Sequence, residues 1–427
     1  MRHLYTLLLY LLIPAVLLRL AWRGWQSPAY WRRWPERFGF VPERANTQTS
    51  GHDVLWLHAV SVGEVQAAVP IISALQAHFP ELKVILTTMT ATGAERVRAN
   101  FGNEVEHFYV PYDLPGSVQR FLARIRPTVA VIMETELWPN IFHCCRQSNI
   151  PLILANARLS EQSAGKYRPV RRLLAETLAN ISVIAAQTDQ DAQRLIALGA
   201  DPAHTHVTGS IKFDVKIMAS LREAAAVLRR SLGVGRAVWV AASTHEGEEK
   251  LVLDAFDAVK QAIPQSLLIW VPRHPERFSK AAALCEKRGY NTVLRSQRTT
   301  CDAQTDVFIG DSMGELPLFY AAADVAFVGG SLIPTGGHNL LEPAALGLAI
   351  ITGPFMFNFE EITRMMREAG ALCQIQDVGE LSAALITYLN DANLRYAMGE
   401  KGQQLVEENR GALTALLEMI EKYISKA

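Results

Sequence analysis

Cysteine is scarce in this chain: five in 427 residues, at positions 144, 145, 285, 301 and 373. Their odd number and scatter give no metal-ligand spacing and argue against a disulfide framework, as expected of reduced thiols in a cytoplasmic protein. Net charge is missing too, with 42 basic residues against 42 acidic ones. No nucleic-acid partner is expected. A G-x-G-x-x-G turn is absent after the first strand-like run, which argues against a dinucleotide-dependent oxidoreductase. No obvious internal repeat and no low-complexity segment interrupts the chain. Its length suggests two domains of ordinary size.

The balance of charge is not local. Residues 1–40 hold six arginines (Arg2, Arg19, Arg23, Arg32, Arg33, Arg37) and one acid, Glu36, leaving 36 basic and 41 acidic residues behind them. The same segment contains "LYTLLLYLLIPAVLL", Leu4 to Leu18, without a charge, and then Trp22, Trp25, Trp31 and Trp34 among arginines. A spanning helix wants about 20 apolar residues, so the run suffices only if Arg19 snorkels and the stretch to Trp22 joins it. Aromatic rings interleaved with arginine suit a headgroup layer and anionic lipid. No small-residue cleavage site follows, so an uncleaved signal-anchor is read at 1–26, spanning or lying in the interface. The heavier positive flank places the body on the cytoplasmic side.

Beyond the anchor, short apolar runs ("VLWLHA", "KVILTTM", "TVAVIME", "PLILANA", "ISVIAAQ") alternate with helical stretches such as Val65 to His78 and Asp189 to Leu198. A second series follows: "AVWVAAS", "SLLIWVP", "TDVFIGD", "VAFVGGS" and "LAIITGP". Strands alternating with helices predict an α/β fold of two doubly wound parallel sheets. The expected division is 27–210 for the first domain, 211–405 for the second, and 406–427 for a C-terminal helix. Ligands of such sheets bind beyond the carboxyl ends of the strands, and most of the polar clusters lie just there.

After "VLWLHA" comes the turn Ser61-Val62-Gly63 and a helix read as starting at Glu64. Strand, glycine turn and helix suit a phosphate, yet a carboxylate at that point repels one. Glu64 either serves chemistry or merely complements the helix dipole. In "VIMETELWPN", Glu134 and Glu136 share a face if the strand continues; a plain salt bridge is the alternative. Lys212, in "GSIKFD", meets phosphate charge or is a solvated linker lysine. Asp189 and Asp191 in "TDQDAQ" are read as helix-start acids rather than a Mg²⁺ site. In the second half, Arg273 and His274 follow a strand directly, where guanidinium and imidazole suit a phosphate. Ser312, Met313, Gly314 and Glu315 form a second turn, with Gly314 allowing close backbone approach. In "GGHNLLEP", Asn339 caps a helix, leaving N–H donors for phosphate, and the Glu342 carboxylate suits the vicinal hydroxyls of a sugar.

The segments "HAVSVGE", "TTMTATG", "VPYDLP", "METELWPN", "ANARLS", "GSIKFD", "STHEGEE", "VPRHPERF", "GDSMGE", "FVGGS", "GGHNLLEP" and "TGPFMFNF" run in this order from His58 to Phe359. On them the chain resembles the 3-deoxy-D-manno-oct-2-ulosonic acid (Kdo) transferases of Gram-negative lipopolysaccharide biosynthesis, glycosyltransferases of GT-B architecture. The resemblance implies two Rossmann-like domains facing across a cleft, with the C-terminal helix packing back toward the first domain. It implies a CMP-Kdo donor held by Arg273, His274, Met313, Gly314, Glu315, Asn339, Leu340, Leu341 and Glu342. It also implies inverting transfer to a disaccharide hydroxyl of lipid A precursor, with one or more Kdo residues added. Glu64 is then the general base, with Glu134 and Lys212 supporting the transition state. On this reading the helix dipole keeps Glu64 ionised. No cofactor and no metal is demanded, because a monophosphate leaving group can be stabilised by preorganised cations and helix termini. Inner-membrane lipid is the further partner, at the cytoplasmic face, and with a lipid acceptor so implied Trp31, Arg32, Arg33 and neighbouring apolar residues are expected to border its entry. A non-catalytic nucleotide-sugar sensor would need the second-half turns but not Glu64, and a nucleotide-sugar epimerase would have little use for the anchor.

Overall fold

A computed structural model of the chain describes residues 1–26, 33–42, 53–297 and 300–424. It divides into two compact units, one of residues 1–214 with 410–427, the other of residues 215–409. Trp31 and Arg32 lie outside the described residues.

The first unit is built on seven parallel strands: β1 (Val54–His58), β2 (Lys83–Thr88), β3 (Glu106–Tyr109), β4 (Val129–Met133), β5 (Leu152–Ala157), β6 (Val183–Ala186) and β7 (Thr205–Val207). Their order is β3-β2-β1-β4-β5-β6-β7. Successive residues of β1 feed opposite faces, Leu55 and Leu57 to one core and Val54 and Trp56 to the other. With both faces covered, the alternation expected of a half-exposed strand disappears and each central strand reads as a continuous apolar run.

The second unit repeats the plan with β8 (Val238–Thr244), β9 (Leu267–Pro272), β10 (Thr292–Leu294), β11 (Val307–Ile309), β12 (Val325–Val328), β13 (Ala349–Thr352) and β14 (Cys373–Gln374), in the order β10-β11-β9-β8-β12-β13-β14. In each sheet the winding reverses beside the first strand, between β1 and β4 and between β8 and β12. Sheets of this kind leave a crevice at that reversal, beyond the carboxyl ends.

Two expected boundaries move. The short helical turn Ile211–Phe213 belongs to the first unit: Ile211 is buried in its core, and its N–H donates to Asn156 Oδ1 at 3.2 Å. Lys212 therefore sits in the first unit and not in the second as its sequence position suggested. At the other end, the helix Ala392–Glu408 runs past residue 406, and the return to the first unit begins at Arg410. Asp214 receives that return, its carboxylate accepting from Gly411 N at 2.8 Å and Leu413 N at 2.7 Å. The helix Ala412–Glu421 then packs Leu413, Leu416, Leu417 and Ile420 into the core beside the helix Val62–His78.

Candidate active site

At the reversal of the first sheet, the helix after β1 begins earlier than the sequence suggested. It runs Val62–His78 with Ser61 as its cap, which makes Glu64 its third residue. Ser61 Oγ accepts the Glu64 N–H at 3.3 Å, while Glu64 takes the Val60 N–H at 2.8 Å and the Ser61 hydroxyl at 3.0 Å. This reciprocal capping fixes the carboxylate at the end of β1. Only 7% of the residue is exposed. Burial pushes its pKa up to about 7, with the charges of Glu134 and Glu136 adding to the rise against the Val60 and Ser61 hydrogen bonds. The expectation that the dipole keeps Glu64 ionised is thus corrected: desolvation outweighs the helix terminus, and near neutrality both forms are populated.

Glu134 does not continue its strand. β4 ends at Met133, and Glu134 takes a left-handed backbone (φ 55°), so the alternation that was to put Glu134 and Glu136 on one face of a strand does not apply. A non-glycine residue held there costs about 1 kcal/mol or more and is kept only where its surroundings over-determine it. Here the Glu134 N–H is tied to Ala155 O at 2.8 Å, and its carboxylate lies 3.5 Å from Lys212 Nζ. Asn156, in the irregular part of β5 and likewise left-handed, holds the turn that presents Lys212. Glu64, Glu134, Glu136 and Lys212 thus form one electrostatic group, and burial raises the Glu136 pKa as well, reinforced by Glu134. His58, closing β1, is fully buried with Nδ1 2.9 Å from Thr87 Oγ1, and burial lowers its pKa to about 4, so it is a neutral wall.

Asp191 turns out to be structural. It lies buried in the first turn of the helix Asp189–Leu198, accepting from Leu159 N at 2.7 Å and the Thr188 hydroxyl at 2.6 Å. Among the described residues, no group of three metal-ligating side chains occurs. Arg33 pairs with Glu36 at 2.6 Å and also meets His107.

The corresponding place in the second sheet gathers three histidines. His245 follows β8, His274 follows β9, and His338 follows the glycine loop after β12. His245 stacks on His338 with ring centroids 5.0 Å apart and meets His274 edge-on at 5.3 Å. Arg273 lies close enough to depress the pKa of both His245 and His338 and to oppose the burial-driven rise at Glu342. Arg273, His274 and Glu342, expected from sequence, are therefore brought together. The expected Asn339 cap is not found: the helix starts at Leu341 with Leu340 at the cap position, so the Asn339 Oδ1 that accepts from Leu341 N at 3.0 Å sits one residue ahead of the cap, and Glu342 is the second helical residue. Leu340 and Leu341 are fully buried, which leaves their backbone as the part able to meet a ligand. Ser312–Glu315 lies past β11, one strand beyond β9; Gly314 is left-handed (φ 82°), Met313 is exposed, and Glu315 is held by Arg295 at 2.7 Å and by Ser312.

Glu248 escaped the sequence reading. This fully buried carboxylate accepts four backbone N–H groups: His245 at 2.9 Å, Gly330 at 2.7 Å, and Ser331 and Leu332 at 3.0 Å each. It fills the turn that follows β12, taking up the N–H groups of three successive residues. Gly329 has no room for a side chain, since a Cβ there would stand 2.9 Å from Thr244 Cα and 3.0 Å from the Glu248 carboxylate.

Residues 32–215 match the family model of 3-deoxy-D-manno-octulosonic-acid transferase, and residues 238–405 that of glycosyl transferases group 1. The 3-deoxy-D-manno-octulosonic acid transferase of Haemophilus influenzae is 40% identical over 426 residues, covering 100% of this chain and 99% of that protein. The chain belongs to the 3-deoxy-D-manno-octulosonic acid transferase family. Its Bordetella pertussis relative is 37% identical over 99% of both chains. The transferase also shares its fold with MurG of Acinetobacter baumannii, at 14% identity and a TM-score of 0.55, over 87% of this chain and 99% of that one. It is a glycosyltransferase of two parallel-sheet α/β domains in the GT-B manner. Among the described residues one helical stretch, Arg2–Trp22, is long and apolar enough to cross a membrane, which is compatible with anchoring.

Proposed function

We propose that the transferase moves Kdo from CMP-Kdo to a disaccharide hydroxyl of lipid A precursor, with inversion, in lipopolysaccharide biosynthesis at the cytoplasmic face of the inner membrane. The observation that carries the reading is the buried carboxylate of Glu64 at the sheet reversal, its pKa raised to about 7. A hydroxyl is a poor nucleophile until it loses its proton, and a base titrating near the working pH removes it most effectively.

In the proposed step the acceptor oxygen bonds to the anomeric carbon of Kdo, the bond from that carbon to the CMP phosphate oxygen breaks, and the hydroxyl proton passes to Glu64. Lys212 and Glu134 hold charge beside the base. Arg273, His274, Met313, Gly314 and Glu315, with the backbone of Asn339–Leu341 and the Glu342 carboxylate, hold CMP, and the cationic groups among them take up the leaving charge. Glu248 keeps the turn after β12 in shape for that task. The apolar, arginine-bearing N-terminal helix holds the protein on the leaflet that carries its lipid acceptor.

Mass spectrometry of lipid A precursor incubated with CMP-Kdo and the purified protein tests donor, acceptor and product number together. Kdo-bearing product is expected. Unchanged acceptor with CMP-Kdo intact overturns the reading. A Glu64→Ala variant that turns over donor at the unaltered rate overturns the base assignment alone.

A further inference from the structure

The N-terminal helix Arg2–Gln26 is apolar along most of its length, and its two ends are both accounted for. At its start, the Arg2 guanidinium donates to Asn140 Oδ1 at 3.0 Å and the Thr6 hydroxyl to the same oxygen at 3.0 Å. The Arg2 N–H also meets Glu176 at 3.4 Å, and Tyr5 reaches the Asp113 carboxylate. Asn140 is itself fully buried and doubly tied to Asp113, donating its backbone N–H to Oδ2 at 3.0 Å and its side-chain amide to the carbonyl at 2.7 Å. The first turns of the helix are therefore docked on a rigid part of the first unit.

The other end is tethered to the same unit. Seven residues after Gln26 the chain reaches Arg33, bonded to Glu36 at 2.6 Å. Glu36 accepts the Tyr109 N–H at 2.9 Å, and the buried Arg37 donates to Met89 O at 2.9 Å with its guanidinium 4.4 Å from the Tyr109 ring centre. Seven peptide steps from Gln26 to Arg33 reach at most about 25 Å.

These two attachments decide the orientation. A helix of this length is about 37 Å long, and a hydrocarbon core is about 30 Å thick. Were the helix to cross from its docked start, its far end would emerge on the opposite side. The chain would then have to return through lipid in fewer residues than the distance requires, with unpaired backbone groups. Were it to cross the other way, every contact of Arg2, Tyr5 and Thr6 with the body would break. The side chains support a third arrangement. Tyr5, Leu9, Ile13, Val16 and Leu20, about one turn apart, are half-buried and mark one covered face, while Leu7, Leu11, Leu18 and Trp22 are more than half exposed. The helix contains no acid, and Arg19 lies exposed near Trp22.

We infer that this helix lies in the plane of one leaflet, with both ends on the side of the body, and does not cross the bilayer. Its exposed leucines enter the acyl layer, Arg19 reaches anionic headgroups, and Trp22 sits at the headgroup level. The inference rests on the membrane reading proposed above and specifies its geometry.

The test uses the full chain carrying an N-terminal epitope tag, in right-side-out and inverted inner-membrane vesicles treated with protease. The tag should survive in right-side-out vesicles and be removed in inverted ones, together with sites in the body. Removal of the tag from right-side-out vesicles while the body stays intact overturns the inference. Because a tag can disturb docking, a second measurement uses the untagged R2C/E176C double variant in membranes, treated with a short bismaleimide. Recovery of the two joined peptides by mass spectrometry is expected, and cysteines that both react singly yet never join overturn the inference. Protein found wholly in the soluble fraction overturns the membrane reading itself, a result distinct from either of the others.

Discussion

The Nε2 atoms of His245 and His338 lie 2.8 Å apart, with their rings within 12° of parallel. One imidazole must donate and the other accept, so the pair shares one proton in its neutral state and resists a second charge. Burial, then the charges of Arg273, His245 and His274, lower the His338 pKa to about 3. His245 is lowered as well, chiefly by burial and further by His274 and Arg273, against Glu248 and Glu249. A depressed histidine contributes stability that is complete above its ordinary value of 6.5 and is lost as pH falls toward the folded value. The second unit should therefore weaken between about pH 6.5 and pH 3. The His338 ring should still be neutral at pH 5, which its imidazole NMR shifts report. A ring already protonated at pH 5 would contradict the pairing.

Glu64 should show itself in both rate and stability. A base must be unprotonated, so kcat/KM should rise with pH through about 7 and level off above it. Glu64→Gln should lower kcat by about 10²- to 10⁴-fold while donor binding stays near normal. Its stability effect has the opposite dependence. A carboxylate with a raised folded pKa contributes fully below about 4.5 and loses that contribution as pH rises through about 7. The glutamine variant, which can still occupy the third position of a capping box, should gain relative to the native chain as pH climbs across that window. Denaturant titrations at pH 5 and pH 8 read this difference.

Lys212 and Glu134 are each about a third exposed at a separation of 3.5 Å, so their attraction contributes no more than about 1 kcal/mol to folding. Lys212→Ala should leave the melting temperature nearly unchanged and yet reduce kcat. Glu134→Gln should move the acid limb of the rate profile down, by less than burial raised it, because burial is the leading cause of the Glu64 shift. An unmoved limb would show that Glu134 does not act on the base.

How much of this could be read from the sequence follows the burial of each element. The ten strands found there are the interior ones and their near neighbours, whose two covered faces make them apolar runs. The four missed, β3, β7, β10 and β14, are the four sheet edges. They are two to four residues long with partly exposed side chains, "EHFY" and "THV" among them, and have no run to show. In the site, residues placed after interior strands (Glu64, Arg273, His274) were legible because position alone marked them. Glu248 was not: its importance lies in three N–H groups from a turn 82 to 84 residues away, plus one beside it. The left-handed turn at Glu134 was equally hidden, because a tertiary bond to β5 imposes it and no glycine announces it.

Glu248 supports the sharpest prediction about the second unit. Its carboxylate satisfies four backbone donors at once, those of Gly330 and Ser331 buried and those of His245 and Leu332 partly so, and each buried donor left without a partner costs about 1–3 kcal/mol. Glu248→Ala orphans all four, and Glu248→Gln turns an amide N–H₂ toward at least one donor pair. Glutamine should therefore be costly in spite of its equal size, with a loss of about 3 kcal/mol or more, visible as a melting temperature lowered by several degrees. Because the turn also positions His338 and the helix beginning at Leu341, CMP affinity in calorimetry should fall for the glutamine variant even at temperatures where it is fully folded. Glu249→Gln is the control. That neighbour binds Arg277 and the Gly247 N–H and none of the turn's donors, so its CMP affinity should stay native. If the two variants lose affinity equally, the turn is not held by Glu248 for the donor's sake.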